Sequence, residues 1–154
     1  MLPSAPTNTN NEYCSKCGGT CCSRFPGMTH PDQFGPKGPT RFKNMLEAVE
    51  SEDYDIDVYE ENGESWDDWI KTYYLRPSSK KSNRPIGSEP CKFQGENGCE
   101  LNHEHRPYEC QTLTPSINNG EYSCHHPDGN KQNLIDAWKN EQGTLAMIKR
   151  RIGL

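Results

Sequence analysis

The residues in this chain best suited to chemistry are its cysteines, and they come in two groups. Four fall within nine residues, as Cys14-Ser-Lys-Cys17-Gly-Gly-Thr-Cys21-Cys22. The others, Cys91, Cys99, Cys110 and Cys124, follow after a long gap. A Cys-x-x-Cys loop turns two sulfurs toward one point, and Gly18 and Gly19 let the backbone bend tightly around an ion or cluster. Thiolates bind zinc or iron when deprotonated, and several from one loop lower the entropy cost of assembling a site. Structural zinc sites and iron–sulfur clusters both take such ligands. Neighbouring side chains usually point apart, so one of Cys21 and Cys22 is expected to face a second centre or to lie in a bridging position. The eight cysteines suffice for two four-cysteine sites, or for one cluster plus a second metal centre.

In the second group, Gly95 and Gly98 predict a hairpin that brings Cys91 and Cys99 close. Arg106-Pro107 ahead of Cys110 predicts a rigid turn carrying a donor fork. Arg106 suits thiolate charge or a substrate carboxylate, and equally a structural ion pair. His125 and His126 follow Cys124 directly and are secondary ligand candidates, although His126-Pro-Asp-Gly also reads as an exposed turn. His103 and His105 flank Glu104 and would point one way along an extended segment. That arrangement fits an open iron site, but a solvated strand face is the preferred reading. His30, in a Gly/Pro loop, is given no role. No Ser/His/Asp order, phosphate-binding loop or dinucleotide fingerprint is present.

Taken together, Cys14-x-x-Cys17-Gly-Gly-Thr-Cys21-Cys22, Cys91-Lys-Phe, Gly98-Cys99-Glu-Leu and Arg106-Pro-x-x-Cys110 resemble the cysteine-cluster (CxxCxxCC) family of zinc- or iron-chelating domains. The likeness runs in order from residue 14 to 110 and onward to Cys124-His125-His126. The set is specific where a lone CxxC would not be. The chain departs from the pattern in having three residues between Cys17 and the Cys21–Cys22 pair. The resemblance implies a metallodomain without a defined role. One branch of that family, the flagellin lysine methylases, is thought to use an iron–sulfur cluster with S-adenosylmethionine. Here the Cys14-x2-Cys17-x3-Cys21 order reverses the spacing of radical S-adenosylmethionine enzymes, so that activity is not carried over.

These ligands need a scaffold, and the composition bounds it. The 154 residues suit one domain, read as a flexible polar tail over 1–12 and a single cysteine-cluster metal-binding domain over 13–154. Leu, Ile, Val and Phe together number only 21 of the 154 residues. That share lies below the roughly 20% at which a chain struggles to build a core. Cross-linking by metal or disulfide is therefore expected to supply much of the stability. Neither a secretory leader nor a membrane span is visible, which implies a cytoplasmic protein. In that compartment cysteine patterns read as metal sites rather than disulfides. A net charge of −5 and a pI near 5.5 argue against nucleic-acid binding. Between Glu47 and Asp68 there are eleven acids and no base, followed by Lys71, Arg76, Lys80, Lys81 and Arg84. The preferred reading is a solvated acidic face beside a basic loop, with a docking surface for a protein partner as the alternative.

Along the chain, residues 25–39 are turn chemistry in which no regular element is expected. Thr40 reads as the N-cap of a helix running to about residue 51 through Phe42, Met45, Leu46 and Val49. Tyr54, Ile56 and Val58 alternate with acids as a half-buried strand, and Asn62-Gly63 suggests a hairpin. Its return arm is expected as a short helical turn through Trp66, Trp69 and Ile70, then a strand ending at Pro77, with a loop over 77–90. After a turn at 126–130, Asn130 caps one final helix. That helix has Leu134, Ile135, Trp138, Leu145, Ile148 and Ile152 on one face, interrupted by Glu141 and Gly143. Trp138 reads as a core anchor, and Lys149-Arg150-Arg151 suits the helix C-terminus.

The fold class expected is α+β, a small irregular metal-stapled domain with two or three helices and short strands. The function expected is metal binding without an assigned activity, with an iron–sulfur cluster preferred to zinc as cofactor. An iron-dependent redox or group-transfer enzyme using Arg106, His125 and His126 is the alternative. A zinc-stapled protein-interaction module is the third.

Overall fold

A computed structural model of the chain describes residues 27–65, 67–79, 91–95, 98–112, 114–119, 121–125 and 129–154. At 103, 114–118 and 121–125 it describes the backbone alone. The expected tail and the Cys14–Cys22 loop lie outside these residues.

The described elements are mixed α and β. Helix α1 spans Pro39–Glu50. Strands β1 (Tyr54–Asn62) and β2 (Trp69–Pro77) pair antiparallel, with Tyr54 opposite Pro77 and Asn62 opposite Trp69. Two smaller hairpins follow: β3 (Gln94–Gly95) with β4 (Gly98–Cys99), and β5 (Thr114–Asn118) with β6 (Glu121–His125). The short helix α2 (Tyr108–Gln111) lies between them in sequence, and α3 (Asn130–Lys139) and α4 (Gln142–Arg151) end the chain.

The α+β expectation holds, with four α-helices among the described residues rather than two or three, and a central hairpin of nine-residue strands. Several local expectations are corrected. Residues 25–39 were expected to hold no regular element, yet Pro31–Phe34 forms a 3-10 turn. Its cause is a capping box: His30 Nδ1 accepts from the Asp32 amide, and Gln33 Oε1 accepts from the His30 amide. Helix α1 starts one residue before Thr40, capped by Gly38 with Pro39 in the first position, where its missing N–H costs nothing. The helical turn expected around Trp69 and Ile70 is strand instead, because nine residue pairs with β1 outweigh the helix-like spacing. His103–His105 is a 3-10 turn, not an extended segment. The single C-terminal helix is two helices, and Asn130 is the first residue of α3 rather than its cap, which is Gly129 at φ 77°.

Helices α3 and α4 lie against β2, and α1 packs on α4 and β1. Their shared core holds Met45, Leu75, Leu134, Ile135, Trp138 and Ile148, each almost fully buried. Phe34 joins it edge-on to Trp138 at 6.4 Å. Among the described residues no cysteine belongs to this cluster. The few large apolar residues are thus concentrated in one core that α1, α3, α4 and the hairpin share. Trp138 is the anchor the sequence suggested, its indole N–H donating to the Thr29 carbonyl at 2.6 Å. Gln142 guards the open edge of β2. Its Oε1 accepts from the Tyr73 amide and its Nε2 donates to the Tyr73 carbonyl, both at 2.9 Å, as a neighbouring strand would.

Four acids of the 47–68 stretch pair with cations of other elements: Asp53 with Lys92, Asp57 with Arg76, Glu60 with Lys71 and Glu61 with Lys139. The face is therefore partly neutralised from within rather than simply solvated. Among the described residues no helix is long and apolar enough to cross a membrane.

The helix break at Glu141 has an electrostatic reason. Arg41 is buried and spans Glu141, Asp32 and the Gly35 carbonyl, tying α1 to the start of α4 and to the 3-10 turn. Removing one partner of a buried pair leaves the other charge uncompensated. Arg41→Ala is therefore expected to cost about 3 kcal/mol, read as a lower urea midpoint at unchanged slope. A second outcome concerns pH. Burial, then the nearby Asp57 carboxylate, raises the Tyr74 hydroxyl above its ordinary value of 10.0. The folded chain keeps this proton where the unfolded chain loses it, so stability is full below about pH 10 and falls as pH rises further. Tyr74→Phe should flatten that alkaline decline in pH-dependent melting.

Candidate metal centre

The first described residue after the N-terminal cysteine loop, Gly27, lies directly against Cys110. A methyl group at Gly27 would sit 2.5 Å from the Cys110 sulfur. Either the sulfur or the backbone would have to shift to admit it, so glycine allows the close approach of backbone to sulfur. The contact is held in register by two bonds between the adjacent residues Met28 and Glu109. The Glu109 amide donates to the Met28 carbonyl, and Glu109 Oε1 accepts from the Met28 amide, both at 3.1 Å. Gln33 adds two bonds, Nε2 to the Arg106 carbonyl at 2.8 Å and Oε1 from the Tyr108 amide at 2.9 Å. Helix α2 is thus an attachment rather than a free turn: four residues long, capped by Pro107, and fastened to segment 27–33.

Cys91 and Cys99 arrive on the neighbouring loop. Cys91 is buried and bridges antiparallel to Ser79, just beyond β2. The Lys92 amide donates to the Ser78 carbonyl at 2.8 Å, and the Lys92 ammonium pairs with Asp53 at the head of β1. The expected small hairpin forms, with Cys99 opposite Gln94 and the Glu100 amide donating to Phe93 at 2.8 Å. It joins the Cys91 and Cys99 segments through adjacent backbone.

These segments converge on Tyr54. Its ring packs edge-on to Phe34 at 5.8 Å and lies 6.1 Å from Phe93, two residues past Cys91. Burial pushes the Tyr54 hydroxyl up to about 12, and the thiols of Cys91, Cys110 and Cys99, with Asp53, act in the same direction. Through Phe93 the ring thus touches the loop that carries Cys91 and Cys99. Among the described residues no three Cys, His, Asp or Glu side chains form a metal-ligand group by themselves.

The remaining candidates are more loosely connected. The backbone of Cys124 pairs with Pro115 and that of His125 with Thr114, at the open end of a hairpin that begins three residues after α2. His126 and the four N-terminal cysteines lie outside the described residues. Arg106 is buried, and its Nε donates to the Leu101 carbonyl at 3.1 Å. Its own carbonyl accepts from Gln33 and Gln111, so the residue fixes the turn before Cys110. His105 is exposed, and His30 has the structural role of the capping box, burial lowering its pKa from 6.5. Sequence reasoning missed Gly27, Tyr54 and Glu109. Glu109 is buried with a Lys131 partner at 2.8 Å, and its only signal was its position beside Cys110.

Set beside known proteins, the chain matches no family model, no curated protein and no solved structure.

Gly27→Ala should force Cys110 or the 27–28 backbone to move, lowering stability by roughly 1–3 kcal/mol as overpacking does. Cys110→Ala removes the opposing sulfur, so the double variant should recover part of that loss in a double-mutant cycle. Simple additivity in denaturant melts would show that the contact carries no energy.

Proposed function

We propose that this protein binds a thiolate-held metal centre, an iron–sulfur cluster in preference to zinc. Cys91, Cys99 and Cys110 would serve as ligands beside cysteines of the Cys14–Cys22 loop. The observation carrying this reading is the seat of Gly27 on the Cys110 sulfur. Only five peptide units separate Gly27 from Cys22, a reach of at most ~18 Å. A ligand shell drawing on both halves is therefore within covalent range, and the cysteine pattern supplies thiolates in excess of one tetrahedral site.

Cys124 and His125, at the open end of the β5–β6 hairpin, are further ligands for a second centre, together with His126. In a reducing cytoplasm these thiols are available to metal rather than to disulfides. A shell filled by cysteine leaves no open position for substrate, so the centre is read as binding and fold-bearing rather than catalytic. The resemblance to zinc- or iron-chelating cysteine-cluster domains points the same way. The acidic 47–68 stretch, with Trp69 and Ile70 exposed at the end of its hairpin, is the face available to a protein partner.

Element analysis with a visible spectrum of anaerobically purified protein tests the proposal. Stoichiometric iron with acid-labile sulfide and a brown colour is expected, and Cys110→Ala should lose metal. A colourless protein with stoichiometric zinc would keep the centre and change its metal. Protein free of bound metal, with all thiols titratable, would overturn the reading. An exchangeable ligand position on the metal would transfer the argument to an iron-dependent enzyme.

A further inference from the structure

The central hairpin has two outer edges, and they are finished differently. Its register runs unbroken from Tyr54 opposite Pro77 to Asn62 opposite Trp69. At its two ends the Ser78 amide donates to the Asp53 carbonyl and the Gly63 amide to the Asp68 carbonyl. In an antiparallel ladder, opposite residues alternate between pairs bonded to each other and pairs whose backbone groups face away. The odd-numbered residues of β1 therefore bond to β2, while Ile56, Val58 and Glu60 turn their N–H and C=O groups outward. The bonds on β2 agree: Leu75 and Tyr73, opposite Ile56 and Val58, bond to partners beyond the hairpin.

On β2 the outer edge is closed at these positions. Thr29 takes the Leu75 carbonyl, and Gln142 takes both the amide and the carbonyl of Tyr73. On β1, of the outward groups of Ile56, Val58 and Glu60, one has a partner among the described residues. It is the Val58 amide, which donates to Asp57 Oδ1 at 2.8 Å. Such an edge is a template for another strand, and its charge selects which. Strand β1 carries Asp55, Asp57, Glu60 and Glu61 and no base. Asp55 and Glu60 are exposed, and the Lys71 ammonium reaches Glu60 only at 3.9 Å between two exposed side chains, a pair of little weight. A second copy of β1 fits poorly. Antiparallel pairing about Val58 would set Asp55 opposite Glu61 twice, and like charges directly opposite destabilise a sheet.

We infer that the outer edge of β1 takes up an extended, lysine- or arginine-bearing segment of a partner protein as a third strand, bonded through Ile56 and Glu60. The inference deepens the partner face named above by fixing how a partner docks and with what charge, and it needs no metal. Main-chain bonds supply the pairing, and the β1 carboxylates select basic side chains across the new ladder.

The test uses the full chain and three end-capped seven-residue peptides. One alternates lysine and valine, one alternates glutamate and valine, and the third is the lysine peptide with every backbone amide N-methylated. Peptide anisotropy reads affinity, and amide hydrogen exchange reads where the peptide sits. In the free protein the Ile56 and Glu60 amides should exchange fast, and those of Asp57 and Tyr59 slowly. The lysine peptide should slow Ile56 and Glu60, and the glutamate peptide should not bind. N-methylation keeps the charge but removes the donors, so it should weaken binding about 10-fold, as loss of two or so backbone bonds does. Glu60→Pro removes an outward N–H where an edge strand tolerates proline. It should weaken binding more than Glu60→Gln, which removes the charge alone. Equal binding of the N-methylated peptide would keep the charged face and sink strand pairing. Failure of the lysine peptide to bind would overturn the partner face and the pairing together. Ile56 and Glu60 amides already slow in the free protein would show the edge covered, by this chain in a monomer or by a second copy in a dimer seen by ultracentrifugation, and would equally overturn the inference.

Discussion

Thr29 is the residue through which the separate parts of the structure are tied. Its amide and its hydroxyl both donate to the Leu75 carbonyl, at 3.2 and 2.6 Å, fastening segment 27–34 to β2. Its own carbonyl accepts the Trp138 indole N–H at 2.6 Å, fastening the same segment to α3. All of these groups are buried, so each bond counts for more than it would in water, and losing one would strand a desolvated partner. The neighbour Met28 carries the link onward to Glu109, and so to the helix that bears Cys110. One extended stretch therefore joins hairpin, C-terminal helices and cysteine segment.

Buried charge follows the same logic. Arg41 is satisfied by two carboxylates and a carbonyl drawn from three places in the chain. Glu109 is satisfied by a backbone amide and Lys131, whose ammonium also lies over the Tyr59 ring. Burial would raise the Asp57 carboxyl, but the Arg76 guanidinium and the Val58 amide outweigh it and hold the group below its ordinary range. These groups orient elements rather than add stability, because desolvation offsets most of what pairing gains. Their contribution is to fix how α1, α4 and the hairpin meet. That arrangement in turn sets where Tyr54 meets Phe93 on the Cys91 loop.

Much of the scaffold was legible because its signals are local. The acid-alternating Tyr54–Val58 run, the Asn62-Gly63 turn, the Phe42–Val49 spacing and the Gly95/Gly98 hairpin each correspond to an element of the structure. Trp138 was legible as an anchor from its place on an apolar face. The failures share a cause. Trp69 and Ile70 carry helix-like spacing, yet cross-strand pairing with distant residues decides for strand. Glu141 looked like an interruption on a helix face, and becomes a break because Arg41, a hundred residues earlier, holds it inward.

The amino-acid sequence by itself determined which residues are able to hold a metal, since thiol chemistry and close spacing along a chain are properties of the chain alone. It also determined the Asn62-Gly63 turn and the Gly95/Gly98 hairpin, because those bonds close within a few residues. Only the tertiary structure decided that the Cys110 sulfur lies against Gly27. It alone brought Tyr54 between Phe34 and Phe93. Contacts of that kind join residues separated by tens of positions, and they follow from how segment 27–34 packs between β2 and α3, which no local pattern encodes.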